Sequence, residues 1–154
     1  MNVKNFLTEK NVEYEVVTHR ATYDAQRLAQ AVHVLGQEVA KTVLLRAGDQ
    51  QPYVVAVLPS TRNIDFAKAA RALGSSHAEL ATEIEIGEHC RDCEVGALPP
   101  FGSQYKMKTL VDESLAKDEE IVFEGNTHEE AIRMKYQDFL RLEKPLVADF
   151  GTGR

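Results

Sequence analysis

Apolar positions along this chain fall into short runs whose period switches repeatedly between that of a helix and that of a strand. Val3, Phe6 and Leu7 share one helical face, and Asn11 supplies an end to that helix. "VEYEVV" then alternates and is rich in strand formers, which predicts a first strand over residues 12–17. Thr22 offers a cap for a second helix with Ala25, Leu28, Ala29 and Val32 on one side and Gly36 beyond its end. "VAKTVLLRA" and "YVVAVLP" are β-branched runs around the turn "GDQQP" and predict a hairpin.

In "NIDFAKAARALG" either Asn63 or Asp65 can cap a short helix that turns Phe66, Ala70 and Leu73 inward and stops at Gly74. Residues 81–90 read two ways, because Ile84 and Ile86 alternate while the same acidic stretch suits a short helix. "KMKTLVD" and "EEIVFEG" predict two strands joined by a turn or helix in "ESLAKD"; "AIRMK" predicts a last strand and "YQDFLRL" a closing helix that Pro145 ends. The final "ADFGTGR" reads as a loose tail. This order of elements predicts an α/β (α+β) fold with a largely antiparallel or mixed sheet, in one domain over residues 1–154.

Between these elements lies "EVGALPPFGSQY", which breaks the pattern. Gly96, Pro99, Pro100 and Gly102 crowd together, yet Val95, Ala97, Leu98 and Phe101 are interspersed, whereas a surface loop with so many breakers is ordinarily more polar. Two readings follow: a pocket wall where backbone amides approach a bound group, or a tight connection against the core.

Composition narrows the function. The chain has 154 residues, enough for one real core, and a net charge of -6 that disfavours indiscriminate coating of nucleic acid and gives no reason to expect DNA as a partner. A local basic face is still allowed by three pairs: Lys41 and Arg46, Lys106 and Lys108, Arg133 and Lys135. No apolar run reaches the roughly 20 residues of a membrane span, and the first residues lack a secretory apolar stretch, so the expectation is a cytoplasmic protein with no membrane partner.

Three features carry candidate chemistry. Lys41 alternates with Val43 and Leu45, so it either snorkels out at the strand end or holds an anion in a pocket. "HCRDC" raises zinc and redox readings, but the chain has no second cysteine pair and this stretch runs straight into the Gly/Pro loop; packing cysteines are the expectation, with no metal and no cofactor. "EGNTHEEAIRM" puts Gly125, Asn126 and His128 in a turn between strands, where an imidazole is either merely exposed or orients a water or substrate hydroxyl. Phosphate-loop, Rossmann and nucleophile-elbow signatures are absent.

Taken in order, "VAKTVLL", "VGALPPFG", "KTLVD", "FEGNTHEEAIRM" and "DFLRL" resemble the YbaK/prolyl-tRNA synthetase-associated editing domain family, over nearly the whole chain. The resemblance implies a compact mixed fold with a barrel-like sheet and flanking helices. It implies a free-standing, trans-editing deacylase that hydrolyses the ester of mischarged tRNA, notably prolyl-tRNA carrying alanine or cysteine. With no nucleophilic set in the sequence, the expected route is substrate-assisted water attack, the neighbouring ribose hydroxyl positioning water or relaying a proton, and a Cys93 nucleophile is the minor alternative. Carried over, Lys41 meets the tRNA 3′ acceptor end, and Gly96, Ala97 and His128 join it as catalytic candidates. Ala97 stands where some members have a second glycine, and His128 is replaced in some branches. Leu98, Pro100, Phe101, Gly102, Gly125 and Asn126 are substrate-binding candidates, with amide donors sought at Gly96, Ala97, Phe101 and Gly102 because proline has no N–H. A synthetase or elongation factor is an expected presenter of the tRNA. The alternative is a non-catalytic module on the same fold that binds a nucleotide, an aminoacyl ligand or tRNA; a third reading makes the loop a core plug.

Overall fold

The structure, a computed structural model, describes residues 1–20, 28, 38–48, 52–94 and 96–153. The chain begins with α1 (Val3–Glu9), where the Asn2 side chain accepts from the Asn5 N–H at 3.0 Å and Val3, Phe6 and Leu7 are buried. Strand β1 (Tyr14–Thr18) follows. The expected second helix, its Thr22 cap and Gly36 lie outside the described residues except Leu28, which is helical and fully buried. β2 (Ala40–Arg46) and β3 (Tyr53–Pro59) form the expected hairpin, and the middle of its turn is likewise outside the described residues.

Next come β4 (Asn63–Ile64), α2 (Phe66–Leu73), β5 (Glu79–Leu80), α3 (Glu83–His89), a 3₁₀ turn (Gly102–Tyr105) and β6 (Lys108–Asp112). A second 3₁₀ turn (Glu113–Lys117), β7 (Glu120–Glu124), β8 (Glu130–Lys135), α4 (Tyr136–Glu143), β9 (Leu146–Ala148) and β10 (Gly151–Thr152) complete the described chain.

The strands form a mixed sheet ordered β5-β2-β3-β6-β9, an antiparallel sheet β1-β8-β7, and a small β4-β10 pair. In the first sheet β3, β6 and β9 run parallel to one another. A parallel bridge between Val39 and Val122 stitches the two larger sheets together, so they curl around one interior in the barrel-like way that was expected. That interior holds Phe6, Phe101, Phe123 and Phe139, with Leu44, Val55 and Val111 from the strands. The opposite face of the mixed sheet packs Leu45, Val54, Leu58 and Leu110 against Leu73 of α2 and Phe150. A smaller cluster of Leu28, Val39, Val122 and Ala131 sits over the seam between the sheets.

Three local expectations are corrected. Phe66 is 37% exposed because Asp65, whose side chain accepts from the Lys68 N–H, makes Phe66 the first helical residue; Ala69, Ala70 and Leu73 form the buried face instead. The ambiguous acidic stretch is helical, since Thr82 and Glu85 complete a reciprocal capping box, and Ile84 is left 74% exposed. The terminal segment is not loose: β9 and β10 join sheets, and Phe150 is fully buried.

Candidate active site

The Gly/Pro loop divides into two halves with different duties. Its rear half is anchored in the core. Phe101 stacks obliquely on three phenyl rings, with centroids 5.2 Å from Phe6, 5.9 Å from Phe123 and 5.7 Å from Phe139. The Phe101 N–H donates to the Pro99 carbonyl at 2.9 Å, closing a tight turn over buried Pro100. The Gly102 N–H donates to Thr109 Oγ1 at 2.9 Å, and a side chain at Gly102 would meet that hydroxyl and two backbone carbonyls. Buried Glu143 holds this end down, accepting from the Ser103 N–H at 3.0 Å, the Ser103 hydroxyl at 2.6 Å and the Thr109 hydroxyl.

The front half opens toward solvent at Gly96, which has φ +89. That backbone conformation suits glycine, and the space is snug: an added Cβ would lie 3.3 Å from His128 Cε1 and 3.5 Å from His128 Nε2, so the ring would have to give slightly. The Ala97 N–H donates to the Glu94 carbonyl at 2.9 Å. Internal bonds therefore engage three of the four amides expected as donors, those of Ala97, Phe101 and Gly102. Among the described residues the Gly96 and Leu98 amides have no such acceptor, and Leu98 was not among the donors sought. The loop is both things the sequence allowed, a core plug behind and an exposed backbone in front.

The turn between β7 and β8 packs against this front half. Asn126, at φ +75, accepts the Glu94 N–H on its carbonyl at 2.8 Å, and its side chain accepts from the Val3 N–H at 2.9 Å and donates to the Met1 carbonyl at 2.6 Å. Its amide thus ties α1, the loop and the turn together. Gly125 is tight against Ile132, where an added Cβ would come within 3.0 Å. His128 is buried; its N–H donates to Glu94 Oε2 at 3.2 Å, and its Nδ1 lies 2.8 Å from Oε2 of buried Glu124. Sequence reasoning passed over Glu124. The signal available was a carboxylate four residues before a histidine across a Gly-Asn turn.

Lys41 reaches the same neighbourhood through strand register. It pairs with Leu58 in the hairpin and is half-buried. Continuing the Val39–Val122 bridge two residues along each chain brings Lys41 and Glu124 up on one face. The structure thus brings Gly96, Glu124 and His128 into one cluster, with Lys41 across the sheet seam. It leaves Phe101 and Gly102 in the core. At the Lys41 end of the β2–β3 hairpin a cavity of about 310 Å³ is lined by Pro59, Arg62, Ser114, Lys117 and Asp118.

The three basic pairs are spread over both sheets, with Lys106 and Lys108 beside Tyr53. Arg46 lies at the far end of β2 from Lys41 and is bound by Glu79 and Glu85, while Arg133 and Lys135 pair with Val122 and Glu120 in the other sheet. The cysteines stay close to each other and are both reduced: Cys93 Sγ donates to the Cys90 carbonyl at 3.3 Å. A hydrogen bond with Cys90, and burial, push the Cys93 thiol far above its ordinary range, so it is a poor nucleophile despite its nearness to the loop. Among the described residues no three His, Cys, Asp or Glu side chains are arranged so that they could hold a metal ion, and no helix is long and apolar enough to cross a membrane.

The fold and site define the class of the chain. Residues 19–142 match the aminoacyl-tRNA editing domain family, and the chain belongs to it. It is accordingly an aminoacyl-tRNA deacylase by class, a hydrolase of the ester bond. A curated relative, the multifunctional Ser/Thr-tRNA deacylase ProXp-y of Escherichia coli K12, is 26% identical over 94% of this chain and 87% of its own length. A solved structure described as a candidate trans-editing enzyme for prolyl-tRNA synthetase superposes with a TM-score of 0.85 at 25% identity, covering 99% of this chain and 96% of that one. Another, described only as a hypothetical protein, shares the fold with a TM-score of 0.89 at 16% identity, covering 99% and 100%.

Proposed function

We propose that the protein acts in trans on mischarged tRNA in the cytoplasm, releasing a small amino acid by water attack on the ester, with no covalent enzyme intermediate. The observation that carries this reading is that Gly96, whose amide is not engaged by a backbone carbonyl among the described residues, lies against the Cε1–Nε2 edge of the His128 ring at the open end of the loop. An N–H so placed can stabilise the oxyanion that forms when water adds to the carbonyl. Lys41 contributes the cation that holds the 3′ acceptor end, and the cavity beside Arg62 and Lys117 gives the terminal nucleotides room. Leu98, Pro100, Gly125 and Asn126 act by shaping the surroundings of Gly96 and His128 from behind. The high Cys93 thiol supports the non-covalent route.

Serine and threonine, which the name of the E. coli relative carries, are the first amino acids to try. The family resemblance adds alanine and cysteine on prolyl-tRNA. A synthetase or elongation factor presents the substrate, since the charge of -6 gives weak affinity for bulk tRNA. The deciding experiment is a deacylation panel with Ser-, Thr-, Ala- and Cys-charged tRNAs, tRNA(Pro) included. Rapid release from one or more supports the reading; tight binding of charged tRNA without turnover transfers it to the binding module.

Gly96→Ala supplies a sharper check. The φ of +89 and the 3.3 Å contact with the imidazole both oppose a methyl group there. Expected are a stability loss of roughly 1–2 kcal/mol and a fall in kcat of about 10²-fold, read from thermal melts and single-turnover deacylation.

A further inference from the structure

We infer that the cavity between α3 and the 3₁₀ turn after the Gly/Pro loop holds a nucleotide of the tRNA acceptor strand, its base against the rings of Tyr53, His89 and Tyr105 and its phosphate on Lys106 and Lys108. This rests on the deacylase reading above and extends it from the reacting end to the strand that carries it. The cavity measures about 280 Å³, near the lower bound of roughly 300 Å³ for ligand sites, which is room for one base with its phosphate at the rim. Its walls come from the start of β3, the end of α3 and the segment from Tyr105 to Lys108.

The aromatic wall is fixed before any ligand arrives. Tyr53 and His89 lie ring against ring, with centroids 4.4 Å apart and planes inclined at 44°. The Tyr53 hydroxyl donates to Glu85, a carboxylate that also accepts from the Thr82 N–H at 2.9 Å and from Arg46 at 3.3 Å. The Tyr105 hydroxyl donates to Asp92 Oδ1 at 3.1 Å. Both tyrosines thus have their polar tips engaged while their rings line the cavity, so stacking a base there demands little further ordering. Every base has a π-face, and such a wall accepts an RNA strand without reading its sequence.

The charge is arranged to suit a phosphate. Lys106 and Lys108 are exposed and make no ion pair among the described residues. Of the acids around the cavity, Glu85 is matched by Arg46 and Asp92 by the Met1 ammonium. Glu88, exposed on the last turn of α3, opposes an anion and confines the phosphate to the lysine side. Arg46, with which Tyr53 pairs, is roughly 17 Å along β2 from Lys41 at about 3.3 Å per residue, so the cavity is separate from the place of the reacting ester. Asp92 stands between the two: it binds Tyr105 through its carboxylate, and its carbonyl accepts from the Asn126 side chain at 3.5 Å. A strand seated in the cavity has only to pass Asp92 to bring its charged end to Gly96 and His128.

The test uses full-length protein with unfractionated uncharged tRNA and, separately, cytidine monophosphate, with binding followed over a range of salt. Lys106→Ala/Lys108→Ala should weaken tRNA binding about tenfold at low salt and reduce the slope of log affinity against log salt by about 1–2. His89→Ala should weaken it about fivefold or more and leave that slope unchanged. Lys10→Ala/Lys135→Ala removes the same charge at the far end of α1 and in the other sheet, and should change binding less than about twofold. With the best charged substrate, the Lys106/Lys108 variant should raise KM and keep kcat within about twofold of wild type. Wild type that fails to bind tRNA at low salt, equal losses in the two lysine pairs, or wild-type affinity in both the Lys106/Lys108 and His89 variants overturns the assignment. Cytidine monophosphate bound as tightly as tRNA overturns the acceptor strand as the occupant and makes the cavity a site for free nucleotide. A wild type inactive on every charged tRNA defeats the deacylase reading, and binding of uncharged tRNA still decides what the cavity holds.

Discussion

Lys41→Ala should lower kcat/KM for deacylation at least about 10²-fold while the protein melts within a few degrees of wild type. The half-buried ammonium stands on β2 at the seam, on the face it shares with Glu124, and opposes a substrate that is a polyanion up to its reacting end. Removing it takes away a fixed positive charge where negative charge develops. It removes little packing, because the stem lies at the start of the strand and truncating a partly exposed side chain typically changes stability by less than about 1 kcal/mol. Lys41→Arg should be rescued only in part, since the planar guanidinium is longer and directs its donors differently. Wild-type turnover by folded Lys41→Ala would remove this residue from the mechanism.

Asp112→Ala is expected to produce the largest loss of stability, about 3–5 kcal/mol, because it strips a buried charge network of its acceptor. Asp112 is fully enclosed at the end of β6; it accepts from the Phe150 N–H at 3.0 Å, the Gly151 N–H at 2.7 Å, the Ser114 N–H at 3.3 Å and the Ser114 hydroxyl, with Arg62 Nε 3.7 Å away. Burial alone would raise its pKa, but the bonds from Ser114, Gly151 and Phe150 together outweigh it, and the net shift is downward. The sign of the pH effect follows. A carboxyl with a lowered folded pKa stabilises fully above its unfolded value of about 3.9, and that stabilisation is lost as pH falls through the folded value. Wild type should therefore lose stability below about pH 4 more steeply than Asp112→Asn, whose side chain does not titrate. Parallel acid-limb slopes in urea melts at several pH values would show that Asp112 does not govern this region.

Elements with a strong period were legible in the sequence: α1, the β2–β3 hairpin, β6, β7, β8 and α4 occupy the runs that predicted them. The misread positions share a physical cause. Phe66 has the spacing of an inward residue, but as the first residue after the Asp65 cap it sits at the end of α2, short of the core that Ala70 and Leu73 reach. The terminal segment has few apolar residues; its order comes from Asp112, a partner far back in the chain that no local pattern reveals. At the site, Gly96 and His128 could be nominated from residue type and resemblance, and their contact could not, because it depends on how the turn after β7 meets the loop. Glu124 was missed for the same reason. An acid at the end of a strand reads as solvent-facing until the register of the second sheet is known.

The bridge between Val39 and Val122 has a consequence for how activity appears during refolding. Lys41, Gly96 and His128 belong to three segments far apart in sequence, and that bridge brings the first and last of them to a common seam. Parallel pairing of β3 with β6 and of β6 with β9 adds further distant closures, the kind that form slowly because loop entropy must be overcome first. Hairpins and helices can assemble early without creating a site. Recovery of deacylation after dilution from denaturant therefore times the closing of the seam, and should lag behind the return of helical signal.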